Sequence, residues 1–408
     1  MVTFNASPCG VMILYKLYKQ GKKKITYLNL RKVTGSLRVK SHNTLNRKEV
    51  YKMYVHTFEV SCMLTSERYF KIQEVIKALG NKWNGSKKDK MEYYELSDKG
   101  ILITFVRVCK KNFTSYSVKY RISAQRVMDN NNYTGLFNTK NYNKLEKKVN
   151  KILTKTCEHL PLLEECSLRR IDYCINGRLE SQKQVKEYIK LCQRCNIPNS
   201  LKKYRYKNKS KAKYNNNDMT VVSSEYIEVS LYNKYAQMKE QEKDFPDIKD
   251  AKNIVRIEIR CMKDKLEQIR KRKKFEALKL DDKVKGYMKH SDAIAEYLYH
   301  YYLEKMFGKG AFYTLPEARE RIENSGFSKV NKNNMTEFIE YANTARSFND
   351  AVCFYTECYG KSYVKNLLYF FDLIDTSPVT VTRDIAKNFD GQYIPHPLDL
   401  FDDFNNNI

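Results

Sequence analysis

The chain has 408 residues, 42% hydrophobic and 13% aromatic, enough for two or three domains with a sizeable core. Lys and Arg total 75 against 47 Asp and Glu, a formal net charge of +28 spread along the whole chain. That points to a polyanion, nucleic acid first, with tyrosines among the lysines as stacking faces. No signal-peptide pattern opens the chain, no apolar run approaches the ~20 residues of a membrane span, and the cysteines are scattered singly. A cytoplasmic protein with reduced thiols and no membrane contact is expected.

Residues 1 to 50 are basic and read as hairpins or a loosely ordered lead-in. Tyr54 to Leu64 reads as a strand, and Ser66 to Leu79 as a helix stopped by Gly80. Met91 to Leu96, Ile101 to Cys109 and Phe113 to Val127 read as strands, with Asp98, Lys99 and Gly100 as a turn. The polar loop MDNNNYTG follows. A helix is predicted over Asn141 to Leu160, a strand around RRIDYCIN (Arg169 to Asn176), and a helix from about Ser181 to Cys195. Leu201 to Asn217, LKKYRYKNKSKAKYNNN, has no acidic residue and no apolar period. It reads as a loop whose Lys202, Lys203, Tyr204, Arg205, Lys207, Lys209, Lys211 and Lys213 track a nucleic-acid strand, or as a solvated charge run. Two more strands follow, EYIEVSLYNK (Glu225 to Lys234) and NIVRIEIR (Asn253 to Arg260). Lys263 to Leu280 is a predicted basic helix, with KRKK at Lys271 to Lys274 opening a linker. Beyond His290 the pattern is helical only. Helices are expected over Asp292 to Met306, from Thr314 to near Gly326, over Lys332 to Tyr341 and over Tyr363 to Leu373. The pair joined through SGFSK reads as a helix-turn-helix or an ordinary helical pair.

The three central strands carry the chemistry. Side chains alternate across a strand. Ile171, Tyr173 and Ile175; Ile227, Val229 and Leu231; and Val255, Ile257 and Ile259 therefore form apolar faces. The opposite faces bring Asp172, Glu228 and Glu258 together, with Arg170, Arg256, Arg260 and Lys234. Three carboxylates on one face suit a hard divalent cation such as Mg²⁺ or Mn²⁺, and the cations suit a phosphate. The same pattern also fits a plain polar sheet face with cross-strand ion pairs.

The order and spelling of the motifs resemble the replication-initiator family of rolling-circle plasmids and filamentous phages, including clostridial members. The matching strings are Arg170-Ile171-Asp172, Leu231-Tyr232-Asn233-Lys234 and Arg256-Ile257-Glu258. The resemblance extends to DAKNIVRIEIR and to the late TSPVTVTRDI. It implies an enzyme, a metal-dependent DNA nicking-closing endonuclease in which a tyrosine attacks an origin phosphodiester and stays linked to the 5′ phosphate. Asp172 and Glu258 carry over as metal ligands, and Tyr232 and Lys234 fall on a Tyr-Asp-Lys element in which Asn233 replaces Asp. The family's nucleophile position falls in MTVVSSEY and is not tyrosine. Tyr226 and Tyr214 are the nearest candidates, Tyr226 being favoured by its expected strand face. The partners implied are single- and double-stranded origin DNA, with a host helicase and polymerase and a homodimer compatible with the family. The rival is a non-catalytic DNA-binding replication or regulatory protein on the same fold.

Other motifs lead elsewhere. No two histidines flank a single residue, which excludes the nickases built on that motif. GNKWNGSK lacks the residue order of a phosphate-binding loop. Cys192 and Cys195 form one CxxC without a second pair, so buried helix-end cysteines are expected rather than zinc. The expected architecture is α+β: an antiparallel sheet with packed helices over residues 1–280, then an all-helical C-terminal domain over 281–408 that supplies DNA contacts.

Overall fold

The computed structural model describes residues 54–399 apart from 79–90, 112, 130–131, 195, 199–200, 204–217, 242–244, 346 and 390–392. Most of the predicted Lys/Tyr loop, from Tyr204 to Asn217, lies outside the described residues, as do Cys195 and Tyr214.

The chain divides into two compact units. The first, over Tyr51–Gln193 and Ile197–Glu304, is a ten-stranded sheet with packed helices. Its strands are β1 (Tyr54–Leu64), β2 (Met91–Asp98), β3 (Ile101–Lys110), β4 (Phe113–Ser123), β5 (Phe137–Asn138), β6 (Ser167–Arg178), β7 (Lys202–Lys203), β8 (Met219–Ser223), β9 (Ile227–Asn233) and β10 (Ile254–Met262). The order is β2-β3-β4-β1-β6-β10-β9-β8-β7, with β5 beside β1, and every pairing is antiparallel. The interleaving of β1, β6 and β10 is what no local pattern specifies, because it depends on pairings between strands far apart in the chain.

The alternation in the three central strands holds. All nine of the predicted apolar residues, from Ile171 to Ile259, are buried. Helices cover that side. On α8 (Ser291–Phe307), Tyr299 donates its hydroxyl to the carbonyls of Tyr173 and Ile257 at 3.0 and 3.1 Å. Tyr287 does the same to Leu266 at 2.9 Å, tying α7 (Val284–Lys289) to α6 (Lys263–Arg270). Remaining helices of this unit are α1 (Ser66–Ala78), α2 (Ala124–Met128), α3 (Tyr142–Thr156), α4 (Gln182–Cys192) and α5 (Lys234–Glu240). On α3 the buried positions Leu145, Val149 and Leu153 follow the helical period. A Ser181–Gln184 capping box starts α4.

Three boundaries differ from expectation. The strand expected over Phe113 to Val127 ends at Ser123, and Ala124–Met128 forms the short helix α2, which buries Ala124 and Val127. The basic helix from Lys263 stops at Arg270, and a 3₁₀ turn over Lys273–Leu278 follows, ending at Lys279 with φ 47°. On a continuous helix Lys274 would meet like charges at Arg270 and Lys271, four and three residues back, and the break instead turns Phe275 into the core. The helix predicted from Lys332 begins a turn earlier, at Lys329, because Ser328 caps Asn331.

The second unit, described over Lys305–His396 and Arg194–Asn196, is helical. It contains α9 (Leu315–Glu323), α10 (Lys329–Thr344), α11 (Phe348–Tyr359), α12 (Lys361–Leu373) and α13 (Arg383–Lys387). Phe338 on α10 sits at its centre, against Phe348, Tyr355 and Phe371. The Thr314–Glu317 capping box starts α9 as the sequence predicts. Among the described residues no helix is long and apolar enough to cross a membrane.

Candidate metal centre

Register places the polar residues in rows across the sheet. Thr57, Asp172, Arg260 and Glu228 form one row over β1, β6, β10 and β9. Tyr54, Cys174, Glu258 and Ser230 form the next, and Asn176, Arg256 and Tyr232 a third. The three predicted carboxylates therefore share one face. Their partners divide them.

Asp172 is 1% exposed. Arg170 binds both its oxygens, at 2.7 and 2.5 Å, and Arg260 Nε approaches at 3.3 Å. Arg260 also donates to Glu228 at 2.8 Å, and Arg170 to Glu59 at 2.9 Å. Arg121 closes on Glu59 at 2.5 Å. The result is a ladder of alternating charge, Arg121–Glu59–Arg170–Asp172–Arg260–Glu228, running across five strands. Arg260 thus stands between Glu228 and Asp172. Burial pushes the Glu228 carboxyl up, and Arg260 opposes that rise.

Glu258 has different neighbours. Tyr232 donates its hydroxyl to Glu258 Oε1 at 2.5 Å, and His56 Nδ1 lies 3.4 Å from the same oxygen. Ligand atoms of His56, Asp172 and Glu258 all lie within 4.8 Å of one another. The structure thus groups two of the three predicted carboxylates with a histidine, and leaves Glu228 outside. Sequence reasoning missed His56 because it is an extra residue. Val55 pairs with Tyr173 and Thr57 with Asp172, so a β-bulge falls at position 56 and re-aims its side chain. Simple alternation along YVHTFEV assigns it no special place.

His56 is held well below its ordinary pKa by burial, then by the Arg256 and Lys234 charges. That keeps the imidazole neutral, the form that binds metals. One nitrogen and carboxylate oxygens make a donor set for a borderline divalent ion; Mn²⁺ accepts imidazole, whereas Mg²⁺ prefers an all-oxygen shell. Such an ion would have to share Asp172 with two guanidinium groups.

The other predicted site residues fall into three groups. Arg256 is fully buried and serves the protein: Nε donates to Asn176 at 2.8 Å and a terminal nitrogen to the Thr134 carbonyl at 2.5 Å. It does not face a solvent-borne phosphate. The Tyr133–Thr134 backbone it meets is itself pinned, since Tyr133 N, Thr134 N and Thr134 Oγ1 all donate to Asp247 at 2.6–2.8 Å. This covering loop turns the polar face from an open surface into a part-buried one. Tyr232 is buried, and burial and then Glu258 raise its phenol well above the ordinary value. Lys234, 4% exposed, donates to Gln237 at 2.8 Å; burial, then Arg256, pull its ammonium down to about 7. Lys234 and His56 line one cavity of about 250 Å³ together with Arg126, Tyr133 and Gln241.

Tyr226 is 41% exposed. It sits in the β8–β9 turn rather than on the strand, its carbonyl accepting from Met262 N at 3.0 Å. Of the basic loop, Lys202 is exposed on β7; Tyr204, Arg205, Lys207, Lys209, Lys211 and Lys213 lie outside the described residues.

No curated protein matches the chain. A family model does, over residues 130–286, and it describes the N-terminal part of a phage replication-associated protein. The matched segment runs from the loop over Arg256 through β10 and α6, and contains Asp172, Glu228, Tyr232, Lys234 and Glu258 but not His56. Over this segment, a little under two fifths of the chain, the protein is similar to that phage replication-associated family.

Proposed function

We propose that the protein initiates rolling-circle replication by nicking one strand of origin DNA with the help of a divalent cation at His56, Asp172 and Glu258. The observation that carries this is the convergence of those three side chains, with Tyr232 and Lys234 beside them, Asp172 and Glu258 lying in the segment similar to a phage replication-associated protein. When bound, such an ion would stabilise negative charge on the scissile phosphate and on the oxygen that leaves it. The protein's own residues do the rest. Arg170 and Arg260 fix the Asp172 carboxylate from two sides, and Tyr232 fixes Glu258. Glu228 acts one step further out, by holding Arg260.

Tyr226 is the proposed nucleophile. It is accessible, and it lies in the β8–β9 turn two residues before Glu228. Its phenolic proton passes to solvent water, and its oxygen bonds to phosphorus as the P–O3′ bond breaks, leaving a 5′-phosphotyrosine and a free 3′ hydroxyl that host helicase and polymerase would use. The 3′ oxygen takes its proton from solvent; Lys234, at the other end of β9 from Tyr226, holds its ammonium near Glu258 instead. The basic residues of segment 201–217 and the C-terminal helices would grip origin DNA.

Incubation with Mn²⁺ and a uniformly ³²P-labelled supercoiled origin plasmid, followed by a denaturing gel, tests the scheme. Protein should remain on the 5′ end, and Tyr226→Phe should remove that adduct. A nick that never carries protein contradicts the covalent route. The second reading, a DNA-binding protein without cleavage, has one observation in its favour: guanidinium groups already occupy both Asp172 oxygens. It predicts a mobility shift of the plasmid and no open circles.

Lys234 gives a pH signature. An ammonium titrating at about 7 is charged below that value and neutral above it, and when charged it opposes a cation at the neighbouring Glu258. Mn²⁺ affinity should therefore rise as pH rises through about 7, and Lys234→Arg, which stays charged, should remove that rise. The same depressed value means that the unfolded chain binds the extra proton more readily between pH 7 and the ordinary lysine range. Stability should accordingly rise with pH across that window.

A further inference from the structure

The polar face continues past Asp172 onto strands that precede the matched segment. Beyond Glu59 on β1 come Arg121 on β4 and Leu102 on β3, and beside them Ser61, Lys119 and Thr104 in the next row. On the opposite side of β4, Val118, Tyr120 and Ile122 are buried in the core. A second bulge adds a cation. Glu59 pairs with Arg170 and Val60 with Leu168, so Arg169 is the extra residue; its Nε donates to Ser61 at 2.5 Å. Lys119, Arg121 and Arg169 line a shallow cavity of about 420 Å³, with Glu59 the one carboxylate among its lining residues. Arg121 and Arg170 already engage Glu59. Lys119 and Arg169 make no ion pair among the described residues. Met63, 63% exposed, adds an apolar contact.

We infer that this face of β1, β3 and β4 holds single-stranded DNA on one side of the scissile phosphate. The inference rests on the nicking centre proposed above, because it takes that centre as the end of the track. Two features favour an unpaired strand. The cationic face runs directly into the candidate centre through Glu59–Arg170–Asp172, and β4 lies two strands from β6, about 10 Å. The face also joins cations for phosphates to apolar side chains, Met63 and Leu102, against which bases can lie.

The test uses the full-length protein, fluorescein-labelled oligothymidylate and the origin plasmid. Lys119→Gln with Arg169→Gln should weaken oligothymidylate binding about tenfold. Losing two phosphate contacts should make the slope of log affinity against log salt shallower by about 1.4. The maximal nicking rate at saturating plasmid should be unchanged. Lys271→Gln with Lys274→Gln, an equal charge change elsewhere, should leave the slope as it was. Each single variant should give about half the effect, which covers the case in which the double variant folds poorly. An unchanged slope in Lys119→Gln and Arg169→Gln overturns the inference even when the protein nicks normally. A protein that never nicks but shows the predicted loss of slope keeps this binding face and discards the nickase.

Discussion

Glu258→Gln is expected to slow Mn²⁺-dependent conversion of supercoiled plasmid to open circles by about 10²–10³-fold. The substitution is chosen to keep the fold. A glutamine oxygen still accepts the Tyr232 hydroxyl that reaches Oε1 at 2.5 Å, and the side chain is isosteric. What disappears is the negative charge that, with Asp172, would hold a cation next to a neutral His56. Initial rates across a Mn²⁺ titration measure the effect. Asp172→Asn should be at least as damaging to rate and should also cost stability, since Arg170 and Arg260 both lose a buried counter-charge. A Glu258→Gln protein that nicks at close to the normal rate would remove Glu258 from the chemistry.

The largest stability loss should follow Arg256→Ala, about 3–5 kcal/mol, read from the urea midpoint or from thermal unfolding. The side chain is fully buried and joins β10 to Asn176 on β6 and to the Thr134 carbonyl of the covering loop. Truncation leaves those acceptors without their donor, opens a large cavity and removes the cation facing Glu258 and Tyr232. Arg256→Lys should recover part of the loss, because a single ammonium cannot reproduce the guanidinium fork. A change below about 1 kcal/mol in Arg256→Ala would show that the loop and the two strands are held by something else.

The central sheet was largely legible because its signal is local. In RRIDYCIN, EYIEVSLYNK and NIVRIEIR the period of two separates core from polar face within each string, and all the apolar positions are buried. Short motifs also pointed to the initiator family, which the match over residues 130–286 bears out. The composition of the site was less legible. His56 enters through a bulge, which depends on the pairing of β1 with β6 and leaves no mark in YVHTFEV. Glu228 has the same alternation as Asp172 and Glu258, yet Arg260 comes between, and only cross-strand register decides that. Arg256 looked like a phosphate ligand because charged residues are seldom fully buried. Its burial depends on the MDNNNYTG loop, whose attachment to Asp247 joins residues 113 and 114 positions apart in the chain.

Titration of Mn²⁺ into the DNA-free protein, followed by calorimetry or by the loss of the free-ion electron paramagnetic resonance signal, tests the metal centre most directly. The wild-type chain should bind one ion. Binding should vanish in Glu258→Gln, weaken at least about tenfold in His56→Ala, and change little in Glu228→Gln. A chain that binds no Mn²⁺, or one whose site is lost in Glu228→Gln but intact in His56→Ala, would contradict a cation held by His56, Asp172 and Glu258.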